Sequence, residues 1–253
     1  MNQSIHLLYK KRGETPLVAL ERLRQKEDID PSVSMTYAGR LDPAAEGLLI
    51  ILSGDEVYKK EEYLGLPKTY VVDVLFDVST DTGDLLGLVE EVRDVDISKK
   101  NIETILPTFL GTRTQEYPNY SSKKTEGKQL WQHAREGSEV KEMPSREVEI
   151  YSIEMLDFYP LRLKTKGADQ CLSCEIKELV ESIAGDFRQK EILKRWEETY
   201  EKLPENLNIA KIRVSASGGT YMRVLVQDIA EKLGTVACAK NIKRIKIGKF
   251  VLE

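Results

Sequence analysis

The stretch "TYAGRLDPAAEG", residues 36–47, sets one carboxylate, Asp42, between Gly39 and Gly47, with Arg40 just before it and Pro43 just after. A fixed carboxylate can serve as a nucleophile, as a general acid or base, or as a turn cap. Pro43 disfavours the helical region for the residue preceding it, so Asp42 is pressed toward extended backbone. Gly39 and Gly47 admit tight turns or a close approach by another strand. Taken alone, the stretch reads as an aspartate capping the turn of "PAAEG". A glycosidase would need a second carboxylate across a sugar ring, and Glu46 is the nearest in sequence, with nothing to place it there.

Around this loop the sequence predicts mixed elements. "PLVALERLRQ" from Pro16 reads as a helix with Leu17, Leu20 and Leu23 on one face. "LLIIL" at 48–52 reads as a buried strand, "DEVYKKEEYLG" at 55–65 as a helix ending at Gly65, and "TYVVDVLF" at 69–76 as a strand. A helix is predicted at 127–136 and a strand at 146–156. Residues 174–203 carry helical spacing that Gly185 divides in two. "IRVSASGG" reads as a strand, "TYMRVLVQDIAEKLG" as a helix ending at Gly234, and "IKRIKIGKFVL" as a last strand. The alternation predicts a single α+β domain over residues 1–253.

Composition narrows the function classes. With 253 residues, 41% hydrophobic and 32% charged, the chain can bury a sizeable core, and no apolar run is long enough to span a bilayer. The N-terminus lacks the pattern of a signal peptide, and three cysteines make no disulfide framework, so a reducing, cytoplasmic setting is expected. Cys171 and Cys174 form a lone C-x-x-C in a chain with two histidines, and no metal is expected. The net charge of −4 argues against a protein that coats nucleic acid, yet the charge is divided. Residues 209–249 hold nine Lys or Arg against two acids, and residues 72–104 hold nine acids against three bases. A basic face on an acidic body suits a partner that docks in one orientation.

Five blocks, in order, resemble the TruB family of tRNA pseudouridine synthases: "AGRLDPAAEGLLIIL", "LPKTYVVDVLFDVSTDTGDLLG", "QEYPNYSSKKTEGKQLWQHAREG", "SASGGTYMRVLVQDIAEKLG" and "NIKRIKIGKF". The resemblance implies the pseudouridine synthase fold, a mixed and mostly antiparallel sheet flanked by helices. A thumb-like RNA-gripping insertion is expected at 105–147, and residues 163–208 form a helical insertion without an assigned role. It implies isomerisation of a uridine in the tRNA T-arm without a cofactor. With no sulfur or heptad device for assembly in the sequence, a monomer is the default expectation.

By resemblance Asp42 is the essential aspartate, Arg223 its charge partner and Tyr70 the active-site tyrosine that stacks on the base. Ile242 falls where the family sets an aliphatic residue against the base. Flipping the target uridine out of its loop costs roughly a few kcal/mol, which RNA contacts must offset. Tyr120, Lys124, Lys128 and Arg135, with Lys243 and Arg244, are the expected contacts. Arg40 is a second candidate partner for Asp42, placed with the RNA contacts. Lys10 and Gly13 match the family's N-terminal motif, grouped with that RNA-binding set.

The chain also departs from the family. "LYKKRGETPL" keeps only Lys10, Gly13 and Thr15 of the N-terminal motif. Tyr37 replaces a histidine that contacts RNA in bacterial members, and is expected to alter base flipping or target preference. The family's C-terminal PUA domain is expected to be absent. A T-arm chaperone with little or no modification activity is the alternative, and the joint presence of Asp42, Tyr70 and Arg223 favours the enzyme.

Overall fold

A computed structural model describes residues 4–163 and 171–251, so part of the expected insertion (164–170) and both chain ends lie outside the described residues. Strand β1 (Ile5–Lys10) leads to helix α1 (Pro16–Lys26), then to β2 (Met35–Ala38) and β3 (Ala45–Ser53). Helix α2 (Lys60–Gly65) precedes β4 (Lys68–Phe76) and a hairpin of β5 (Val78–Thr80) and β6 (Val89–Val92). Next come helix α3 (Lys99–Ile105), β7 (Gly111–Glu116), a two-rung hairpin of β8 (Lys124–Thr125) and β9 (Lys128–Gln129), and helix α4 (Leu130–Glu136). Strand β10 (Ser145–Arg162) is followed by helices α5 (Leu172–Ser182) and α6 (Gln189–Tyr200). Strand β11 (Asn206–Ala216), helix α7 (Met222–Lys232), β12 (Ala237–Ile247) and β13 (Phe250–Val251) come last.

The main sheet runs β1-β3-β12-β4-β11-β10-β7, with β2 paired to β3 and β13 to β12. Every pairing in it is antiparallel except β12 with β3, where Ile242–Arg244 run beside Ala45–Gly47. This is the mixed, mostly antiparallel sheet flanked by helices that the family resemblance implies. The period-two pattern of β4 explains its two-sided burial. Tyr70, Val72, Val74 and Phe76 face α7 and α3, whereas Leu75 faces α5 and α6. Helix α7 buries Met222, Leu225, Val226 and Ile229 on the first side, each worth about 1.5–3 kcal/mol of apolar burial. No helix among the described residues is long and apolar enough to cross a membrane.

Several elements differ from their predicted bounds for local reasons. Residues 54–59 form a 3-10 turn before α2, because the apolar positions there are too sparse to hold a longer helix against the sheet. The predicted helix at 127–136 gives its first residues to the β8–β9 hairpin, whose turn has Glu126 and Gly127 at positive φ. Strand β10 continues to Arg162, well past 156, through two register shifts. Its partner β7 pairs only as far as Ile150, so Pro160 lies on an open edge, where a missing N–H is tolerated. Gly185, at φ +100, lies between α5 and α6 as the sequence predicts.

Candidate active site

Asp42 stands just ahead of β3, and the backbone around it is held from both sides. Its carbonyl accepts from the Ala45 N–H at 3.0 Å, which closes a turn over Pro43 and Ala44. The expected cap is therefore not what forms: "PAAEG" enters a strand, the backbone closes the turn, and the side chain is left for other work. Lys10 Nζ donates to the Ala45 carbonyl at 2.6 Å, and the Gly13 N–H donates to the Pro43 carbonyl at 2.8 Å. On the other side Arg244 donates from Nε to the Leu48 carbonyl at 2.8 Å and from its terminal nitrogens to the Arg40 and Gly39 carbonyls.

Two of these cations are placed otherwise than expected. Lys10 and Arg244 are 0% and 1% exposed, so neither offers a free charge to a phosphate; both brace the Asp42 loop through carbonyls. Burial lowers the Lys10 pKa to about 8, with the Asp42 and Glu14 carboxylates limiting the drop. Gly13 is buried as well, and a Cβ there would stand 2.1 Å from Ser182 Oγ, so its backbone packs against the end of α5.

The Asp42 carboxylate meets Arg223, which lies in the first turn of α7. Nε donates to Asp42 Oδ2 at 2.8 Å, Nη1 to the Thr82 carbonyl and Nη2 to the Tyr120 carbonyl at 3.1 Å. All three guanidinium nitrogens are thus committed, which fixes the plane of the group and the direction of its charge. Asp84 Oδ2 lies 3.8 Å from the same Nε. Burial pushes the Asp84 carboxyl up while Arg223 opposes the rise. Its Oδ1 also accepts from Thr82 Oγ1 and the Leu86 N–H, which shapes the "TDTGD" turn.

These groups line a cleft of about 600 Å³. Asp42, Arg223, Tyr70, Ile242, Tyr37 and Arg40 line it, joined by Tyr120, Arg135 and the buried Arg244. The sheet order explains the convergence: β3, β12 and β4 are neighbours, with Ile242 opposite Ala45 on one side and Arg244 opposite Tyr70 on the other. Tyr70 is 7% exposed and Ile242 6%, so each presents a small apolar face. Tyr37 has Lys60 Nζ 5.5 Å from its ring centre, and Arg40 is exposed at the rim.

Lys124, Lys128 and Lys243 do not line the cleft. Lys124 and Lys128 are exposed on the β8–β9 hairpin, and Lys128 pairs with Glu136 at 2.5 Å. Lys243 is half-buried, 5.6 Å from the Tyr9 ring centre. Arg135, at the cleft mouth, pairs with Asp186 at 2.5 Å. Glu46 is absent from the lining and accepts from the Tyr9 hydroxyl at 2.7 Å, so no second carboxylate of the glycosidase type faces Asp42 from that position.

Sequence reasoning gave no role to several residues of the cleft, among them Asp84, Thr82, Lys68 and Tyr221. Asp84 and Thr82 lie within the quoted "TDTGD", and the doubled carboxylate of that turn was the available signal. Lys68, 4% exposed, donates to the Leu64 and Leu66 carbonyls, and burial lowers its pKa to about 8. Tyr221 caps the start of α7; its backbone N–H donates to Gln115 Oε1, and its carbonyl accepts from Gln115 Nε2. Nothing in the local sequence announces that reciprocal pair, because it joins β7 to α7.

Residues 31–174 match the profile of the TruB family pseudouridylate synthase N-terminal domain. The chain is 32% identical over 244 residues to a tRNA pseudouridine synthase B of Thermosipho melanesiensis, covering 96% of this chain and 63% of that protein. It is 30% identical over 253 residues to a tRNA pseudouridine synthase B of Bacillus cereus, covering 99% of this chain and 68% of the relative. The chain thus spans about two thirds of the length of these relatives. Among solved structures it is similar to a crystal structure of a Cbf5–Nop10–Gar1 complex, with a TM-score of 0.58 and 16% identity over 98% of this chain and 50% of that one. That likeness concerns the fold.

Proposed function

The chain belongs to the TruB family of pseudouridylate synthases, and we propose that it isomerises a uridine in the T-arm of tRNA to pseudouridine, with Asp42 as the catalytic carboxylate. The observation that carries this reading is the Asp42–Arg223 ion pair, 2.8 Å long, at the wall of a cleft that Tyr70 and Ile242 also line.

The isomerisation breaks the bond from the sugar C1′ to N1 of uracil, turns the base and joins C1′ to C5. One proton leaves C5 and one is gained at N1, so the composition is unchanged and no outside reactant is consumed. Asp42 acts at the sugar–base junction, attacking or assisting at C1′ and moving protons. Arg223 keeps it aimed, because a guanidinium with all three nitrogens committed gives its charge-assisted hydrogen bond in one direction. Tyr70 and Ile242 sandwich the flipped base, and the apolar faces exclude water from the junction. The exposed cations Arg40, Lys124 and Lys128, with the half-buried Lys243, supply phosphate contacts, and Tyr37 and Tyr120 supply ring faces for the loop.

The test uses tRNA transcripts tritiated at uridine C5, which lose the label when C5 becomes glycosidic. Wild type is expected to release tritium in stoichiometric amounts, and Asp42→Asn to release none while still binding tRNA. Binding without release by either protein would reject the isomerase and leave the T-arm chaperone as the function. Release by the Asn variant would reject Asp42.

A further inference from the structure

The loop between α5 and α6 reaches the mouth of the cleft, where Asp186, Phe187 and Arg188 join its lining. Its two helices are anchored deep in the protein. Ile176, Leu179, Val180, Ile192 and Trp196 pack with Leu75, Val78 and Leu85 in one buried cluster. The loop itself is stapled by Gln189, whose Nε2 donates to the Ile183 and Gly185 carbonyls while its Oε1 accepts from the Phe187 N–H. Arg188 holds a left-handed backbone, φ +60, which is unfavourable for a non-glycine residue by about 1–3 kcal/mol unless its contacts over-determine it.

Those contacts all lead toward the active site. Arg188 Nη1 donates to Asp81 Oδ2 at 2.6 Å and Nη2 to Oδ1 at 3.3 Å, a fork on a carboxylate that also accepts from the Leu88 N–H. The guanidinium lies 4.6 Å from the ring centre of Tyr120. Tyr120 in turn gives its carbonyl to Arg223, and Arg223 gives its Nε to Asp42. Two residues earlier, Asp186 takes Arg135 of helix α4 through both its carboxylate and its carbonyl. The segment 117–137 is thereby tied to the α5–α6 loop at two points.

We propose that the 183–189 loop is a strap that fixes segment 117–137 over the cleft, with Arg188 as a positioning residue that orients Tyr120 and, through its carbonyl, Arg223. The helices, with Ile183 and Phe187 of the loop, are held by apolar burial in that cluster, which leaves the charges of Asp186 and Arg188 free for other contacts. They are spent instead on the cleft mouth. Only the kinetic part of this proposal rests on the activity proposed above.

The test compares wild type with Arg188→Gln and Arg188→Lys by hydrogen exchange, and then by single-turnover tritium release and tRNA binding. Arg188→Gln is expected to speed exchange in peptides covering 117–137 while those from β4 and β11 stay as in wild type. Its single-turnover rate is expected to fall by about tenfold to a hundredfold, the scale of a misplaced positioning group, with tRNA affinity little changed. Arg188→Lys keeps a charge near Asp81 but loses the fork and the stack, and is expected to recover only part of the rate. Unchanged exchange at 117–137 in Arg188→Gln would overturn the strap. So would exchange that rises equally throughout the chain. If wild type released no tritium, the activity reading would fail and the exchange contrast would still decide the strap.

Discussion

Arg223 Nε lies 2.8 Å from Asp42 Oδ2 across a sequence separation of 181 residues, and the two ends of the pair differ in exposure, 4% for the arginine side chain and 39% for the aspartate. The cation is the buried member, committed to the Thr82 and Tyr120 carbonyls and close to Asp84. The carboxylate is the member open to the cleft. A desolvated arginine with every nitrogen engaged cannot turn away, so the direction of Asp42 is set from inside the protein.

Removing that arginine should make stability depend on pH. Arg223→Met leaves the buried Asp84 without its cation, and its pKa, already pushed up by burial, rises further. A carboxyl raised in the fold holds protons that the unfolded chain has released, so the variant loses stability as pH rises through that window. The deficit against wild type should be about 3–5 kcal/mol at pH 8 and clearly smaller at pH 5. Urea unfolding at the two pH values reads it, and equal deficits would count against Asp84 as the buried charge.

Gly47 should tolerate no side chain. It sits at φ +112 where β3 runs beside β12, and a Cβ there would stand 2.2 Å from the Arg244 carbonyl oxygen, a backbone atom that cannot step aside. Gly47→Ala should destabilise the protein by about 3 kcal/mol or more, by prying β3 from β12 and loosening the Arg244 contacts to the Asp42 loop. A thermal midpoint within about 2 °C of wild type would show that the strands separate freely.

Glu175 ties α5 to the rest of the protein at Arg12, 2.5 Å away, and Lys240, 2.6 Å away. Burial raises its carboxyl, but the hydrogen bonds from Lys240 and Arg12 outweigh burial and hold the pKa below the ordinary range. A depressed carboxylate stabilises above the unfolded pKa, and that contribution is lost as pH falls through the folded one. Glu175→Gln should therefore cost about 1–3 kcal/mol at pH 7 and converge with wild type as pH drops below about 4. Melting curves that stay parallel down to pH 3 would assign the loss to packing.

Asp186 occupies Arg135 at the cleft mouth. If Arg135 is to meet a phosphate, Asp186→Asn should free it, tighten tRNA binding at low salt and steepen the salt dependence of log K by roughly 0.7–0.9, the increment for one added phosphate contact. Binding titrations between low and moderate salt read the slope. An unchanged slope would remove Arg135 from the RNA contacts.

Much of the cleft was legible as motifs. Asp42, Tyr70, Arg223 and Ile242 could be named because their blocks resemble those of the TruB family, whereas Asp42 taken alone reads as a turn cap. The roles of Lys10, Gly13 and Arg244 were not legible. A buried cation bonded to carbonyls has the same sequence as an exposed one waiting for phosphate. Only the pairing of β12 with β3 puts Arg244 against residues 39, 40 and 48.

By itself the sequence determined most of the element types and the break at Gly185, which follow from periodicity and from conformational limits acting over a few residues. The candidate cleft residues came from the likeness of their blocks to the family's. The tertiary structure alone decided which charges are spent: Arg223 on Asp42, Arg244 and Lys10 on the backbone of the Asp42 loop, Arg188 on Asp81 and Tyr120. Each of these pairings joins segments distant in sequence, and electrostatic energy depends on distance and burial in space, which the order of residues does not encode locally.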